Sequence, residues 1–346
     1  MQLNYSFIIP VFNRPDEIRE LLESMKKLST DIPFEVVIVE DGSTVGSEEE
    51  IWRFSGSLDI SYYYKENSGP GDSRNFGMKK AKGNYFLILD SDVVLPENYL
   101  AEVDRFLKTN YVDCFGGRDA AAENFTPIQK AIDFAMTSFL TTGGVRGNDN
   151  PGFEPRSFNM GISKQAFEAT GGFGTIHPGE DPDLSLRIRK AGFQTAFASE
   201  VFVYHKRRID WRKFYVQVNK FGKARPILSQ WHPGSGKLTF WFPSLFIIGL
   251  ILSLTGLLFG FEILILFYLL YFLMIFADAV FKNNRIFIGL LSVLAVIIQF
   301  YGYGMGFLKS TLHVRLLKKE PEEVFPELFF QNKKKGWAVK VHHKTT

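Results

Sequence analysis

Short apolar runs that end in acidic or glycine-rich turns set the pattern of the first hundred positions. Tyr5–Val11 is almost wholly apolar and is followed by Phe12-Asn13-Arg14-Pro15. The run at 34–39 ends in Glu40-Asp41-Gly42-Ser43, and the run at 60–64 ends near Asn67-Ser68-Gly69-Pro70-Gly71. Tyr85–Leu89 runs straight into Asp90-Ser91-Asp92. Unbroken runs of this kind suit strands covered on both faces. Between them the period changes: Ile18, Leu21, Leu22, Met25 and Leu28 share one face of a helix predicted over 16–28, and a shorter helix is predicted over 73–81. Strands alternating with helices predict an α/β fold, a parallel sheet with helices on both faces. Its polar turns then gather along one edge, where open α/β sheets bind ligands.

From 113 to 199 the chain is looser, rich in Gly, Phe and polar residues. A strand is expected over 157–163, a helix over 182–191 with Gly192 at its C-cap, and a further strand or two over 193–203. Over 209–228 aromatic residues (Trp211, Phe214, Tyr215, Phe221) alternate with basic ones (Arg212, Lys213, Lys220, Lys223, Arg225). That pattern suits an amphipathic helix at a membrane surface, with a solvated helix carrying one core face as the alternative. Three apolar stretches follow, 240–259, 263–281 and 286–308, each near the ~20 residues that span a bilayer. Asp278 lies inside the second. Gly302, Gly304 and Gly306 leave the third as either a span or a kinked, re-entrant segment. The basic tail after 309 prefers the cytosolic side by the positive-inside rule, whereas three full spans would put it opposite the N-terminal domain.

Composition changes this picture little. The 346 residues are 46% hydrophobic with a net charge of +3, which gives no general case for nucleic acid as a partner. The single cysteine, Cys114, excludes an internal disulfide. No basic segment precedes the first strand, so the N-terminal part is expected in the cytosol.

The chemistry sits where the apolar runs stop. Ionised Asp90 and Asp92 cannot follow β-structure into a core without a large desolvation cost, so they belong at the strand's C-terminal end. Two carboxylates one residue apart suit a hard cation, Mg²⁺ or Mn²⁺, that keeps positions open for substrate phosphates. Glu180-Asp181 opens the helix at 182–191, where acidic residues also suit the helix dipole.

Taken in order, Ile-Ile-Pro-Val-Phe-Asn-Arg at 8–14, Val-Glu-Asp-Gly-Ser at 39–43, Asn-Ser-Gly-Pro-Gly-Asp-Ser-Arg-Asn-Phe-Gly at 67–77, Leu-Asp-Ser-Asp at 89–92 and Gly-Glu-Asp at 179–181 resemble family 2 glycosyltransferases over roughly 5–205. The resemblance implies a GT-A nucleotide-diphospho-sugar transferase fold, a Rossmann-like mixed sheet followed here by C-terminal transmembrane helices. It implies that Pro10 and Asn13 shape the nucleotide pocket, that Asp41 with Glu40 meets the base, and that Arg74 lies beside the nucleotide. Asp90, with Ser91, falls near the ribose, and Asp92 ligates the metal bridging the diphosphate. Asp181 is implied as general base with Glu180 beside it. Asp119, in Arg118-Asp119, and Asn159-Met160-Gly161 fall near donor and acceptor sugars. His205 is a candidate third metal ligand or a structural histidine. Lys206, Arg207 and Arg208 suit pyrophosphate, lipid head groups or solvent, and Arg146 is a further candidate contact.

The resulting division is a cytosolic transferase domain over 1–208, an amphipathic segment over 209–237, a membrane region over 238–308 and a basic tail over 309–346. The expected activity is inverting, metal-dependent transfer of one sugar from a nucleotide-diphosphate sugar to a lipid-linked or membrane-proximal glycan at the cytoplasmic membrane, with membrane lipids as partners. A processive polysaccharide synthase is the alternative. It is disfavoured because the Gln-x-x-Arg-Trp motif of such synthases is absent from the region after Gln217. A non-catalytic scaffold and a nucleotidyltransferase are weaker readings.

Overall fold

A computed structural model describes residues 2–121, 125–143, 153–205, 210–330 and 340–342, apart from the side chains of Ala121, His205 and 340–342. Two compact units divide the chain. The first takes residues 1–122, 147–206 and 329–346; the second takes 123–146 and 207–328.

The first unit is built on one sheet. Its strands are β1 Tyr5–Val11, β2 Phe34–Asp41, β3 Ile60–Lys65, β4 Tyr85–Leu89, β5 Val93–Val94, β6 Cys114–Ala121, β7 Asn159–Ser163, β8 Thr195–His205 and β9 Lys340–His342. They lie in the order β5-β8-β6-β7-β4-β1-β2-β3-β9. β4, β1, β2 and β3 run parallel, as the alternating pattern predicts. The far half does not: β7 is antiparallel to both β4 and β6, and β8 runs parallel to β6, so the sheet is mixed. Side chains of β1 alternate between two cores. Phe7, Ile9 and Val11 pack with Ile18 and Leu21 of α1 (Pro15–Lys26), and Ile51 of α2 (Glu48–Trp52) joins the same core. Ile8 packs on the other face with Phe76 of α3 (Pro70–Lys80). Leu100 and Val103 of α4 (Tyr99–Thr109) join the first core.

The chain runs outward from β1 through β2 to β3, then returns to the other side of β1 as β4. That reversal opens a crevice beyond the C-terminal ends of β1 and β4, the place where such sheets bind ligands. The loops carrying Asn13 and Asp90-Ser91-Asp92 both begin there. α3 starts at Pro70, three residues earlier than the apolar pattern suggests, because Pro at the first turn needs no N–H partner.

The second unit is helical. It contains α5 Pro127–Thr137, α6 Phe139–Thr142, α9 Trp211–Trp231, α10 Phe242–Leu257, α11 Ile263–Asn283 and α12 Ile286–Ser310; the intervening α7 (Lys164–Thr170) and α8 (Glu180–Lys190) belong to the first unit. α5 lies in the looser middle stretch, where no helix is predicted. A capping box between Thr126 and Gln129, with Pro127 at the first turn, starts it. Its Ala131, Ile132, Phe134 and Ala135 share a core with Phe214 of α9, Phe246 of α10, Ile275 of α11 and Phe300 of α12.

The third apolar stretch forms one helix without a kink-making break. α12 is continuous and winds on as a wider turn over Thr311–Leu316. Its glycines serve close packing. A Cβ on Gly302 would press on Val218 and Tyr215, and one on Gly306 would enter the backbone of Asn219, while Gly222 of α9 faces the Tyr303 carbonyl. Small residues at such crossings let two helix backbones approach. α9 therefore packs along α12 through buried Phe214 and Val218. Asp278 is held by Lys282, 2.9 Å away, and accepts from Ser138 Oγ at 3.2 Å. Leu238–Leu257, Ile263–Asn283 and Ile286–Leu316 are long and apolar enough to cross a membrane, with mean hydropathy 2.0, 2.5 and 2.1. Leu252, Leu266, Phe267, Leu270 and Leu290 lie exposed on them, which is compatible with membrane association.

Candidate active site

The turn after β2 is built by its own carboxylates. Glu40 and Asp41 are neighbours on a strand, so they point to opposite faces. Glu40 has no exposed surface. Ser43 Oγ donates to its Oε1, and Ser47 N–H donates to its Oε2 at 3.1 Å. Burial raises the Glu40 carboxyl, and those serine hydrogen bonds oppose the rise. Asp41 faces α3. Its Oδ1 accepts from Lys65 Nζ and from Ser68 N–H at 3.0 Å, and its Oδ2 from Gly69 N–H at 2.9 Å. Lys65 is only 1% exposed, so a buried ion pair clamps the loop that leads into α3. Gly42 turns the chain at φ +72, and any Cβ there would collide with Asn67 N.

Asn13 closes the same turn from β1. Its backbone is left-handed, φ 53, which asparagine tolerates better than most residues. Its Oδ1 accepts from Thr44 N–H at 2.8 Å and Val45 N–H at 2.9 Å, and its own N–H donates to Ser43 Oγ at 2.7 Å. Pro10 lies one strand residue before Val11, paired with Val39.

Across the crevice, the loop after β4 is held by two arginines. Arg14 pairs with Asp92. Arg74, 4% exposed, donates to Asp90 Oδ1 at 2.7 Å and lies 3.6 Å from Glu180 Oε1. Its guanidinium stands 5.3 Å from the centre of the Phe173 ring. Ser91 is buried between the two aspartates. Arg74 thus links the β4 loop to the N-terminus of α8, so Asp90 and Glu180, 90 positions apart in sequence, share one cation.

Glu180 and Asp181 differ sharply. Burial alone would raise the Glu180 carboxyl. The charge and hydrogen bond of His177, 2.7 Å away, and the Arg74 charge instead hold it down to about 2. Asp181 is pushed up to about 6 by burial and by the Glu180 charge, against Arg74, Arg156 and a hydrogen bond from Ser157. Its Oδ1 is buried and accepts no hydrogen bond among the described residues. A carboxylate with a raised pKa and an uncommitted oxygen has the properties of a general base.

The other candidates within the sheet lie on β6, β7 and β8, where Asn159 pairs with Leu89 and His205 with Val93, the residues that flank the acidic loop. Asp119 sits in β6 opposite Val203 of β8. Asn159 is fully buried, and its side chain is spent on structure: Oδ1 accepts from Tyr99 OH at 2.8 Å, and Nδ2 donates to the carbonyls of Val201 and Arg118. His205 ends β8, but its side chain lies outside the described residues, as do Arg146, Lys206, Arg207 and Arg208. Among the described residues no three Asp, Glu, His or Cys side chains cluster as a ready-made metal site. Asp90 and Asp92 remain a pair of hard oxygen donors, a set that fits Mg²⁺ or Mn²⁺ when phosphate oxygens complete the shell. The sequence reading missed Lys65, the clamp on Asp41, and His177, the partner of Glu180. His177 lies three positions before Glu180 and outside the helix, so no helical spacing signals their contact.

Residues 6–171 match the model of glycosyl transferase family 2. A Rickettsia bellii protein described as an uncharacterized glycosyltransferase is 38% identical over 105 residues, which is 30% of this chain and 15% of that protein. The poly(ribitol-phosphate) beta-N-acetylglucosaminyltransferase TarS of Staphylococcus aureus is 32% identical over 116 residues, covering 32% of this chain and 20% of its own. The chain therefore spans a fifth or less of these relatives' length. The mannosyltransferase PcManGT of Pyrobaculum calidifontis, solved with GDP-Man and Mn²⁺, superposes with a TM-score of 0.56 at 17% identity, over 92% of this chain and 89% of that one. The match to glycosyl transferase family 2 covers residues 6–171, just under half of the chain, and the sheet has the GT-A fold of its structural neighbours.

Proposed function

We propose that the protein transfers a single sugar from a nucleotide-diphosphate donor to a hydroxyl of a membrane-associated acceptor, with inversion at the anomeric carbon. One observation carries this reading. Around the crevice at the switch point, Arg74 joins the acidic loop after β4 to the Glu180-Asp181 pair, so a diphosphate-binding edge and a candidate base share one centre. The mannosyltransferase and the N-acetylglucosaminyltransferase to which the chain is similar support a sugar donor.

In this reading Asn13 and Asp41 shape the base pocket through the turns they hold, with Pro10 beside them. Glu40 acts by fixing that turn. Arg74 and Asp90 face the nucleotide. Asp92 and Asp90 would hold Mg²⁺ or Mn²⁺, which, when bound, neutralises the charge growing on the departing diphosphate. Asp181 takes the proton of the acceptor hydroxyl as that oxygen bonds to the anomeric carbon. The bond from that carbon to the diphosphate breaks on the opposite face, and the nucleoside diphosphate leaves. An acceptor hydroxyl is a poor nucleophile until its proton has somewhere to go. The three apolar helices are read as membrane spans that keep the acceptor's lipid end near the enzyme, with the transferase domain in the cytosol.

The test uses the full chain in membranes. Chelation with EDTA is expected to abolish transfer, and added Mn²⁺ or Mg²⁺ to restore it. Asp92→Ala is expected to cost at least about 10²-fold in kcat, on the scale of losing one electrostatic stabiliser of a leaving group. Full transfer in EDTA by the wild type would remove the metal from this mechanism.

A further inference from the structure

Glu180 is saturated by its surroundings. His177 Nδ1 lies 2.7 Å from its Oε1, and Arg74 lies 3.6 Å from the same oxygen. Its Oε2 accepts from Gly179 N–H at 2.9 Å. A carboxylate so occupied has little left with which to accept a substrate proton. Asp181, next along the helix, keeps an uncommitted oxygen.

The loop that carries His177 is braced from two directions. Asn75 of α3 grips Phe173 through both backbone groups, each at 2.8 Å. The segment after the apolar helices then returns: Phe329 bridges Ile176, and Phe330 N–H donates to Thr175 O at 3.1 Å. The Phe330 ring lies 5.8 Å from the His177 ring. Braced in this way, His177 faces Glu180 and Asp181 from α8 and Arg74 from α3, and it lines a cavity of about 270 Å³ together with Asp72.

We propose that His177 is a positioning residue of the transfer reaction, fixing Glu180 as the bound member of the acidic pair so that Asp181 is the carboxylate presented to the acceptor. The proposal rests on the reading of Asp181 as base. Without His177 the pair loses a neighbouring positive charge and a hydrogen bond, so it holds its first proton more firmly. The acid side of the kcat profile then moves to higher pH. Without the Glu180 charge, the repulsion that raises Asp181 is gone, and the acid side moves to lower pH.

The experiment measures sugar transfer by the full chain at saturating donor across pH, for wild type, His177→Ala, His177→Gln, Glu180→Gln and the double variant H177A/E180Q. The expected result is an upward move of the acid limb by about one unit for His177→Ala, with donor KM within about twofold. Glu180→Gln should move the limb down. The double variant should follow Glu180→Gln, because His177 then has nothing to hold. Loss of rate in His177→Ala with an unmoved limb would overturn the proposal and leave His177 a packing residue. So would additive effects in the double variant. If His177→Ala does not fold, His177→Gln carries the same pH test, keeping a hydrogen-bonding group without the charge. Asp181→Asn with wild-type transfer would instead defeat the base assignment itself, whatever the His177 variants do.

Discussion

Asp181→Asn should lower the transfer rate by roughly 10²–10⁴-fold, the usual worth of a general base, while the protein still folds and still binds donor. Asparagine keeps the shape but loses the negative charge and the ability to take a proton. The surroundings explain why this position suits the task. Burial and the Glu180 charge push Asp181 up to about 6, whereas the same burial leaves Glu180 near 2 because His177 and Arg74 compensate it. Two adjacent carboxylates are thus driven apart, which is how one pair yields a single base. The sign for pH follows directly. A base must be unprotonated, so wild-type kcat should fall as the pH drops through about 6 and stay level above it. Rates measured from pH 5 to 8 with the metal held saturating would show this limb. A flat profile, or an Asp181→Asn enzyme within a few-fold of wild type, would send the proton elsewhere.

The second large effect is expected at Arg74. Its guanidinium is nearly enclosed and faces Asp90, Glu180 and Asp181, with Phe173 against its flat side. Arg74→Met would leave those carboxylates uncompensated, at about 3 kcal/mol in stability, the lower end for a broken buried pair because Asp90 is partly open to water. Donor affinity should fall with it. Arg74→Lys should rescue little, since one ammonium cannot span Asp90 and Glu180 as a planar fork does. Thermal unfolding of the detergent-solubilised chain and donor binding by each variant check this. A melting temperature unchanged in Arg74→Met would show that the arginine is not the tie between the two loops.

Much of the first unit was legible because its strands are fully covered. Tyr5–Val11 and Tyr85–Leu89 are apolar at nearly every position, as is Phe34–Asp41 from Val36 to Val39, and the polar residues that stop them mark the crevice. The site's acidic groups were legible for the same reason: Asp90 and Asp92 interrupt an apolar run. What escaped depends on partners distant in the chain. The antiparallel half of the sheet pairs β4 with β7, 70 to 78 positions later, and nothing local in Asn-Met-Gly-Ile-Ser sets that direction. The return of Phe329 and Phe330 to the His177 loop, and of β9 to β3, lies beyond three apolar helices and within a tail whose composition speaks only of charge. α5 carried a readable capping box, but the glycine-rich surroundings masked it. Charge patterns also hid the distinction between Glu40 and Asp41. Both are acidic at a strand end, and only alternation sends one into its own turn and the other toward Lys65 and α3.

We read the transferase domain as using a nucleotide-diphosphate sugar to glycosylate a membrane-associated acceptor. Membranes from cells expressing the wild type or Asp181→Asn, incubated with Mn²⁺ and a panel of radiolabelled nucleotide sugars, test it most directly. With the wild type, one donor is expected to deliver label to the lipid fraction as a single added sugar; with Asp181→Asn, none is. Label in a long polymer would contradict single transfer and favour a processive synthase. Equal labelling by wild type and Asp181→Asn, or no donor consumed when native lipid extract is supplied, would contradict the account as a whole.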